Sequence, residues 1–284
     1  YASGLTVAML KSDGHYPIDD ILAGFKLEMQ ESNISFQMIP VEIEQDADTL
    51  AGQLIRMKAD MILCIGVKAL EKAALATKIP KLYVMVTSEN AKTWSHRDDI
   101  FGVSLDIAPQ QQFRIIRQAL PAGRRIGVLY DPDYNQKMIE ETKKTAAAAG
   151  FSLVAHPVSS MRDIPSSLQK MEGNVDMLWA IYDQTAYSSE STRYILLQSL
   201  RRKIPMVGLS THFAKAGALL AIYGDYTDMG RQIALQAMAV TKKGERVPQM
   251  SRPRKVRVAV NEKVGRMMEI NFSESFLKTI HQIY

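Results

Sequence analysis

The feature that most constrains the fold is an alternation of strand and helix patterns that begins twice. It first begins with the apolar run LTVAML, which ends in the polar turn KSDGHYP before a helical pattern. It begins again with RIGVLYDPDYN, Arg125 to Asn135, where a strand-type run ends in a polar turn before a long helical pattern. We expect the two runs to be the leading strands of two α/β lobes, with exit loops facing each other across a cleft.

The same alternation repeats four or five times in each half, which predicts two parallel sheets flanked by helices. The run Asp60 to Ile65 is apolar almost throughout, as expected of a parallel strand buried on both faces. Val175 to Tyr182 is predicted to be a later strand, and Asn135 to Ala149 a helix. At the C-terminus, Lys255 to Val260 is predicted to be a strand and Ser273 to Ile283 a helix. The predicted fold class is α/β, with two doubly wound parallel-sheet lobes.

The length of 284 residues is about twice that of a usual single domain, which also favours two lobes. We place the first crossing between lobes at Asp106 to Pro109, and expect a helix over Thr227 to Thr241 to return the chain to the first lobe. The predicted N-terminal lobe is 1–107 plus about 226–249. The predicted C-terminal lobe is 108–225 plus about 250–284.

Compartment and redox state are constrained by three observations. No apolar run approaches the roughly 20 residues needed to cross a bilayer. Cys64 is the only cysteine and lies within DMILCIG, so an internal disulfide is impossible and a buried, inert thiol is favoured over a reactive one. The sequence starts at Tyr1 without an initiating Met, as a mature chain does after removal of a signal, so we expect export although no signal is visible.

The net charge of +5 and the isoelectric point near 9.1 raise the question of nucleic-acid binding. Basic residues crowd one region, namely Lys242, Lys243, Arg246, Arg252, Arg254, Lys255 and Arg257. This cluster has no interleaved aromatics, helix-turn-helix pattern or zinc pattern, so a solvated surface is favoured and no nucleic-acid partner is predicted. A docking surface for a partner protein fits the cluster equally well.

Candidate ligand-binding residues follow the strands, because open α/β sheets bind ligands at the carboxyl ends of their strands. Ser12, Asp13 and His15 follow the first strand, although half of such a turn could simply cap the next helix. Gly66 and Val67 follow the third strand, where the free backbone N–H groups of a starting helix could hold a carboxylate. Lys68, the next residue, could add a charge, but solvation is the more usual role of such a lysine.

The later exit loops are polar and short as well. Thr87 and Ser88 follow the fourth strand. In the second half, the loops comprise Asp131 to Asn135, then Asp183, Gln184 and Thr185, then Ser210, Thr211 and His212. Tyr130 and Tyr182 give these loops aromatic edges, although each could equally be an ordinary strand residue.

The motifs of common enzymes are missing from the sequence. GLSTH, Gly208 to His212, lacks the second glycine of a hydrolase nucleophile elbow. The five histidines have no metal-ligand spacing, and no glycine-rich phosphate or dinucleotide loop occurs. We therefore predict no catalysis, no metal and no cofactor, but the binding of a small polar ligand. An α/β enzyme stays open only because acids and histidines line the loops.

Several segments match the sequence pattern of one family. The strongest are LPAGRRIGVLYDPDYN, which is like a Leu-Pro, Ile-Gly-Val-Leu-Tyr-Asn-Pro segment, and GALLAIYGDYTDMGRQIALQA, which is like Gly-Ala-Leu, Asp-Tyr, Gly-Arg-Gln. Lesser matches are MILCIGVKALEKA, KIPKLYVMVT, FGVS, KIPMVGLS and AVNEKVGRMMEI. By these segments the chain resembles the ABC-transporter substrate-binding proteins of the tryptophan/tyrosine-binding type, which have the periplasmic-binding-protein type I fold.

The resemblance implies an exported or periplasmic protein whose two lobes, joined by a multi-strand hinge, close on a small molecule. In the family the ligand is commonly an aromatic or other amino acid, handed to a membrane ABC permease. A monomer is expected, and a lipid anchor is left open. By position, the resemblance makes ligand neighbours of Asp131, Asn135, Asp183, Gln184 and Asp225, the last at the hinge.

The sequence departs from the family in the loops that choose the ligand. Gln184 replaces the Asn of Asp-Asn-Thr, Val67 and Lys68 replace small residues, and Thr87, Ser88 and Glu89 stand where the family has Thr-Asp-Pro. Specificity for tryptophan or tyrosine therefore does not follow from the resemblance.

The binding hypothesis assigns each end of the ligand to one set of groups. Asp183 would face a ligand amino group, while N–H groups near Gly66 and the hydroxyls of Thr87 or Ser88 would take a carboxylate. The alternative function is a ligand-sensing domain of a signalling system with the same fold. A neighbouring sensor-kinase gene would favour signalling, and neighbouring permease and ATPase genes would favour transport.

Overall fold

The computed structural model describes residues 4–14, 17–242 and 245–284, and His15 lies outside them. By its internal contacts the chain divides into two units. Unit 1 comprises Tyr1–Asp106 and Gly224–Lys255, and unit 2 comprises Ile107–Tyr223 and Val256–Tyr284. The chain therefore passes from one unit to the other three times.

The described residues form twelve strands. Those of the first half are β1 (Leu5–Lys11), β2 (Phe36–Val41), β3 (Met61–Ile65), β4 (Lys81–Val86), β5 (Ile100–Ser104) and β6 (Arg125–Tyr130). Those of the second half are β7 (Ser152–Pro157), β8 (Met177–Trp179), β9 (Met206–Gly208), β10 (Leu220–Gly224), β11 (Val256–Val260) and β12 (Gln282–Ile283).

Helices alternate with most of these strands. The first six are α1 (Ile18–Glu31), α2 (Ala47–Arg56), α3 (Val67–Ala76), α4 (Ser88–Lys92), α5 (Pro109–Ala119) and α6 (Pro132–Ala148). The others are α7 (Ile164–Met171), α8 (Ser189–Arg201), α9 (Thr211–Ala216), α10 (Tyr226–Thr241), α11 (Glu262–Met267) and α12 (Glu274–Leu277). Several helices start at side chains suited to capping: Asp46 accepts a hydrogen bond from the Thr49 N–H at 2.8 Å, and Pro132 occupies the first turn of α6.

Unit 1 is built on a parallel sheet in the order β2-β1-β3-β4-β5. The order is that of a doubly wound sheet, in which helices cover both faces. Helices α2 and α3 pack on one face through residues such as Leu50 and Leu70. Helices α1 and α10 pack on the other through residues such as Phe25 and Ile233. Full burial of each such side chain stabilises the unit by roughly 1.5–3 kcal/mol.

The contact between α1 and α10 depends on two glycines. A Cβ atom added at Gly24 would lie 1.9 Å from the Thr227 carbonyl oxygen, and one at Gly230 would lie 2.0 Å from the Ile21 carbonyl oxygen. Only glycine allows the two helix backbones to approach this closely. Arg231 reinforces the contact, because its guanidinium donates to the carboxylates of α1.

Unit 2 contains a seven-stranded sheet in the order β12-β11-β10-β9-β8-β6-β7. The strand pairs whose register is resolved are parallel. One face buries an aromatic group in which the Phe113 ring lies 5.9 Å from that of Phe151 and 5.2 Å from that of Trp179. The other face buries apolar residues of α7 and α8, such as Leu168 and Ile195.

The predicted fold class is confirmed, since both sheets are mostly parallel, of the α/β type and flanked by helices. The predicted C-terminal helix over Ser273 to Ile283 is wrong. That segment holds only the four-residue α12, followed by β12, which pairs with β11 through Ala259 and Gln282. Its apolar spacing suits a helix, but pairing with the sheet edge satisfies the backbone groups at its end.

Other predicted boundaries shift at strand ends. The strand predicted over Val175 to Tyr182 is reduced to β8, three residues long. Helix α6 starts at Pro132, not at Asn135, because Asp131 already caps it. The segment predicted as a loop around Thr211 is the first turn of α9. In each case a helix or loop begins directly where the strand leaves the sheet.

Candidate ligand-binding site

Unit 1 brings several of the predicted residues to the carboxyl edge of its sheet. Strand β1 is the neighbour of β3, and β3 is the neighbour of β4, all in parallel. The segments after these strands carry Ser12, Gly66 and Thr87, and therefore leave the sheet at the same edge. Strand topology thus gathers residues that are far apart in the sequence.

Ser12 joins the β1 exit to the start of α3. Its side chain is buried, its backbone N–H donates to the Ile65 carbonyl at 2.9 Å, and its Oγ accepts from the Ala69 N–H at 2.9 Å. A serine hydroxyl that accepts one bond can still donate its own hydrogen. Asp13, next to it, is exposed, and its carboxylate lies 3.9 Å from the Lys68 ammonium. An exposed pair at this distance contributes little to stability.

Gly66 forms the turn from β3 into α3. Its φ of 90° lies in the left-handed region that favours glycine, and its N–H donates to the Val84 carbonyl at 2.9 Å. Helix α3 starts at Val67, directly after this turn. Within the described ranges the N–H groups of Val67 and Lys68 have no acceptor, as is usual in a first helical turn.

The β4 exit is held by a carboxylate that the sequence did not single out. Thr87 caps α4, and its Oγ1 accepts from the Asn90 N–H at 3.3 Å. Ser88 donates twice to the same oxygen of Asp106, through its backbone N–H and through its hydroxyl at 2.6 Å. The donors of Ser88 therefore already face a carboxylate of the chain itself. Asp106 lies two residues after the end of β5, and this position was the sequence signal that could have identified it.

Asp183 lies at the centre of the corresponding edge in unit 2. Its Oδ2 accepts from the Asp131 N–H at 2.6 Å and from the Asn135 side-chain amide at 2.8 Å. Its Oδ1 accepts from the Thr185 N–H at 3.0 Å and from the Ala186 N–H at 2.8 Å. A carboxylate has about four acceptor positions, so donors of the chain use the full capacity of Asp183. The side chain is only 7% exposed.

Asp131 completes a network between the β6 and β8 exits. Its Oδ1 accepts from the Asp133 N–H at 3.0 Å, and its Oδ2 accepts from the Thr185 hydroxyl at 2.6 Å. We call Asp131, Asn135, Asp183 and Thr185 the exit-loop network. The network holds two loops of unit 2 together through charge-assisted hydrogen bonds, the stronger kind.

The remaining predicted residues lie around these two edges. Tyr130 is buried and its hydroxyl donates to Gln136 Oε1 at 2.9 Å, while burial raises its pKa. Tyr182 is half-buried, and its carbonyl accepts from the Asn135 amide at 3.4 Å. Gln184 is exposed. Thr211 is the first residue of α9. Asp225 belongs to unit 1, where it caps α10 by accepting from the Asp228 N–H at 3.1 Å.

Over residues 4–14, 17–242 and 245–284, no group of three or more His, Cys, Asp or Glu side chains is arranged to hold a metal ion. In the same ranges no helix is long and apolar enough to cross a membrane.

Comparison with known proteins identifies the family. The model of the family described as ABC transporter substrate binding protein matches residues 18–283. The chain therefore belongs to the ABC transporter substrate-binding protein family, and the resemblance inferred from the sequence is confirmed. A search of curated proteins gave no match.

Solved structures share the fold at low sequence identity. An ABC domain in complex with L-Trp from Streptococcus pneumonia is 23% identical, with 99% of this chain and 100% of that chain covered and a TM-score of 0.71. A ligand-free, open substrate-binding protein with adhesive properties from Clostridium difficile is 18% identical, with 98% of each chain covered and a TM-score of 0.78. An ABC transporter substrate-binding protein from Desulfitobacterium hafniense in complex with Leu is 14% identical, with 83% of each chain covered and a TM-score of 0.55.

Proposed function

We propose that the chain is the extracytoplasmic solute-binding protein of an ABC importer. Its two lobes, which we take to be unit 1 and unit 2, would close on a small polar ligand with a carboxylate, an amino acid being the leading class. The family match over residues 18–283 carries this proposal. Closure would shift a pre-existing equilibrium between open and closed states.

Hydrogen-bonding capacity indicates which groups would contact the ligand. In unit 1 the hydroxyls of Ser12 and Thr87 each accept one bond and keep a hydrogen to donate, and the Val67 N–H adds a backbone donor. These donors suit a carboxylate. In unit 2 we assign ligand contact to the exposed Gln184, in the segment after β8, and to Thr211, the first residue of α9 after β9.

We propose a structural role, not ligand contact, for three of the residues in unit 2, namely Asp131, Asn135 and Asp183. Their polar atoms bond to one another and to neighbouring backbone, so we propose that they position the loops. An amino group of the ligand would then reach the outer side of this network, not displace one of its four donors. The hypothesis that Asp183 itself faces the amino group stays a prediction.

The proposal includes a membrane ABC permease as partner, a monomeric state and an exported location, with a lipid anchor left open. It includes neither a nucleic-acid partner nor a cofactor. The absence of catalysis is also part of it, since the family binds solutes.

Calorimetry tests the proposed function. Wild-type protein, purified without refolding, is titrated with L-tryptophan, L-tyrosine, L-leucine and 3,4-dihydroxybenzoate. We expect saturable one-to-one binding of at least one amino acid, weakened about tenfold or more by Thr87→Val and by Gln184→Ala. Gln169→Ala, which alters an exposed glutamine on α7, is the matched control and should bind as wild type. If only 3,4-dihydroxybenzoate bound, the proposed ligand class would change from amino acids to aromatic carboxylic acids. Steady turnover of a ligand would refute a pure binding role.

A further inference from the structure

The position of Asp106 is not accounted for by any of the ligand contacts proposed above. It is the last residue of unit 1 before the first crossing, and Ile107 begins unit 2. One oxygen of its carboxylate accepts both the N–H and the hydroxyl of Ser88, which is the first residue of α4. A single charged acceptor thus holds the start of the β4 exit loop against the residue at which the chain leaves the unit.

The backbone next to Asp106 is tied to the same strand end. The Leu105 N–H donates to the Val86 carbonyl at 2.8 Å, just before the loop that carries Thr87. Strand β4 is irregular there, because its register with β5 shifts between Tyr83 and Val86, and Met85 has a φ of 60°. With regular pairing interrupted, the Asp106 carboxylate supplies a second link between the crossing and the loop.

We infer that Asp106 is a positioning residue that couples the first crossing to the β4 exit loop. Rotation of the backbone at the crossing moves the carboxylate and therefore breaks or remakes the two bonds to Ser88. Ser88 is adjacent to Thr87, so the orientation of the Thr87 hydroxyl depends on the same bonds. The inference rests on the proposed function only in treating Thr87 as a ligand contact; the coupling itself requires no ligand.

Hydrogen exchange on the ligand-free protein tests the first link. We expect Asp106→Ala to raise exchange of the Ser88 N–H by about tenfold or more, because a charge-assisted bond is lost. Asp106→Asn keeps an acceptor and should have a smaller effect, which guards against a failure of the alanine variant to fold. Ser88→Ala should in turn raise exchange of the Leu105 N–H. The matched control is Asp60→Ala, which removes a carboxylate that accepts the Thr6 N–H at 2.7 Å elsewhere in unit 1.

Pulsed spin-label distances test the coupling. Labels at Leu75→Cys in unit 1 and Met267→Cys in unit 2 use exposed positions, while Cys64 is fully buried. The distance distribution should broaden with Asp106→Ala and stay unchanged with Asp60→Ala. An unchanged Ser88 exchange rate in Asp106→Ala, or equal broadening in both variants, would overturn the inference. Neither measurement needs a ligand, so failure here is distinct from failure of the calorimetric test.

Discussion

The carboxyl edges of the two sheets are held together in different ways. In unit 1 the exit segments are held by separate hydrogen bonds: Ser12 to Ala69 links the β1 exit to α3, while Thr87 to Asn90 and Ser88 to Asp106 hold the β4 exit. In unit 2 the β6 and β8 exits share one carboxylate, that of Asp183, which accepts four donors. The difference teaches that loss of one of these bonds in unit 1 should leave the others in place, whereas loss of Asp183 should loosen two loops together.

A second contrast concerns how helices meet the rest of each unit. Unit 1 relies on backbone proximity between α1 and α10, which only Gly24 and Gly230 allow. Unit 2 instead fills space with the rings of Phe113, Phe151 and Trp179. Unit 1 should therefore be the more sensitive of the two to added volume.

The largest expected effect is that of Gly24→Ala. The added Cβ meets a backbone oxygen that cannot rotate away, so we expect a loss of about 3 kcal/mol in the free energy of unfolding of unit 1, measured by urea denaturation. Gly52→Ala on α2 is the control. Its new Cβ would meet only the flexible end of Arg56 at 3.3 Å, and helix propensity predicts a gain of about 0.5–1 kcal/mol. If the two variants were equally stable, the close approach of α1 and α10 would not make unit 1 sensitive to added volume.

Asp183→Ala should have the next largest effect, and in unit 2. Four donors lose their acceptor in a buried place, so we expect a loss of about 2–3 kcal/mol in the free energy of unfolding. Hydrogen exchange should rise at both Asp131 and Ala186. Asp133→Ala, at an exposed position of α6, should cost less than about 1 kcal/mol. If exchange rises in only one of the two loops, the network is not shared in the way described.

The next effect is smaller and concerns acid: the pH range in which a carboxylate loses its stabilising charge should differ between the two units. Burial raises the pKa of Asp176 in unit 2, but hydrogen bonds from Arg125 and the Arg124 N–H outweigh burial and lower the pKa from 3.8 to about 2. Burial also opposes ionisation of Asp99 in unit 1, yet hydrogen bonds from Arg97 and Lys81 hold its pKa even further below the usual range.

Because both pKa values are lowered on folding, each carboxylate stabilises the protein above its unfolded pKa and loses that effect as the pH falls. Both contributions should therefore decline as the pH falls below 3.8, and unit 2 should have lost that of Asp176 by about pH 2, where unit 1 still keeps part of that of Asp99. Urea denaturation from pH 5 to 2 checks this order. Asp176→Asn should flatten the pH dependence in this window, and an unaltered slope would contradict the assignment.

Lys68→Ala should have the smallest effect. The ammonium and the Asp13 carboxylate are both exposed and 3.9 Å apart, so the free energy of unfolding should change by less than about 0.5 kcal/mol. The measurement is urea denaturation at low and high salt. A larger, salt-sensitive loss would show that the Asp13–Lys68 ion pair is a second link between the β1 and β3 exits, beside the Ser12–Ala69 hydrogen bond.

The sequence predicted elements whose local pattern and tertiary position agree. Strand β6 forms the run that was predicted to begin the second lobe, because this apolar run ends at the turn-forming residues Asp131 and Pro132. The segment after Ser273 was predicted wrongly because its helical spacing carries no information about the free edge of β11.

The sequence predicted where the site residues lie, but not which hydrogen bonds they form. The sequence places Asp131 and Asp183 at strand exits, but the number of N–H groups that turn toward each carboxylate depends on the path of the folded loops. Asp106 was missed as a site residue for the same reason, since its partner Ser88 lies 18 positions away. Contacts of this range are decided by strand order, which the pattern of one strand does not encode.

The packing of α10 on α1 also fixes the order in which the units can be completed. Helix α10 and the segment to Lys255 belong to unit 1 but are synthesised after Ile107–Tyr223 of unit 2. Until they emerge, the stripe of α1 that carries Ile21, Phe25 and Met29 lacks its cover. Unit 1 must therefore wait for contacts some 200 residues apart in sequence, such as that between Arg231 and Glu31, and such distant contacts slow folding. Unit 2 is completed later still, because its strands β11 and β12 lie in the last segment, Val256–Tyr284.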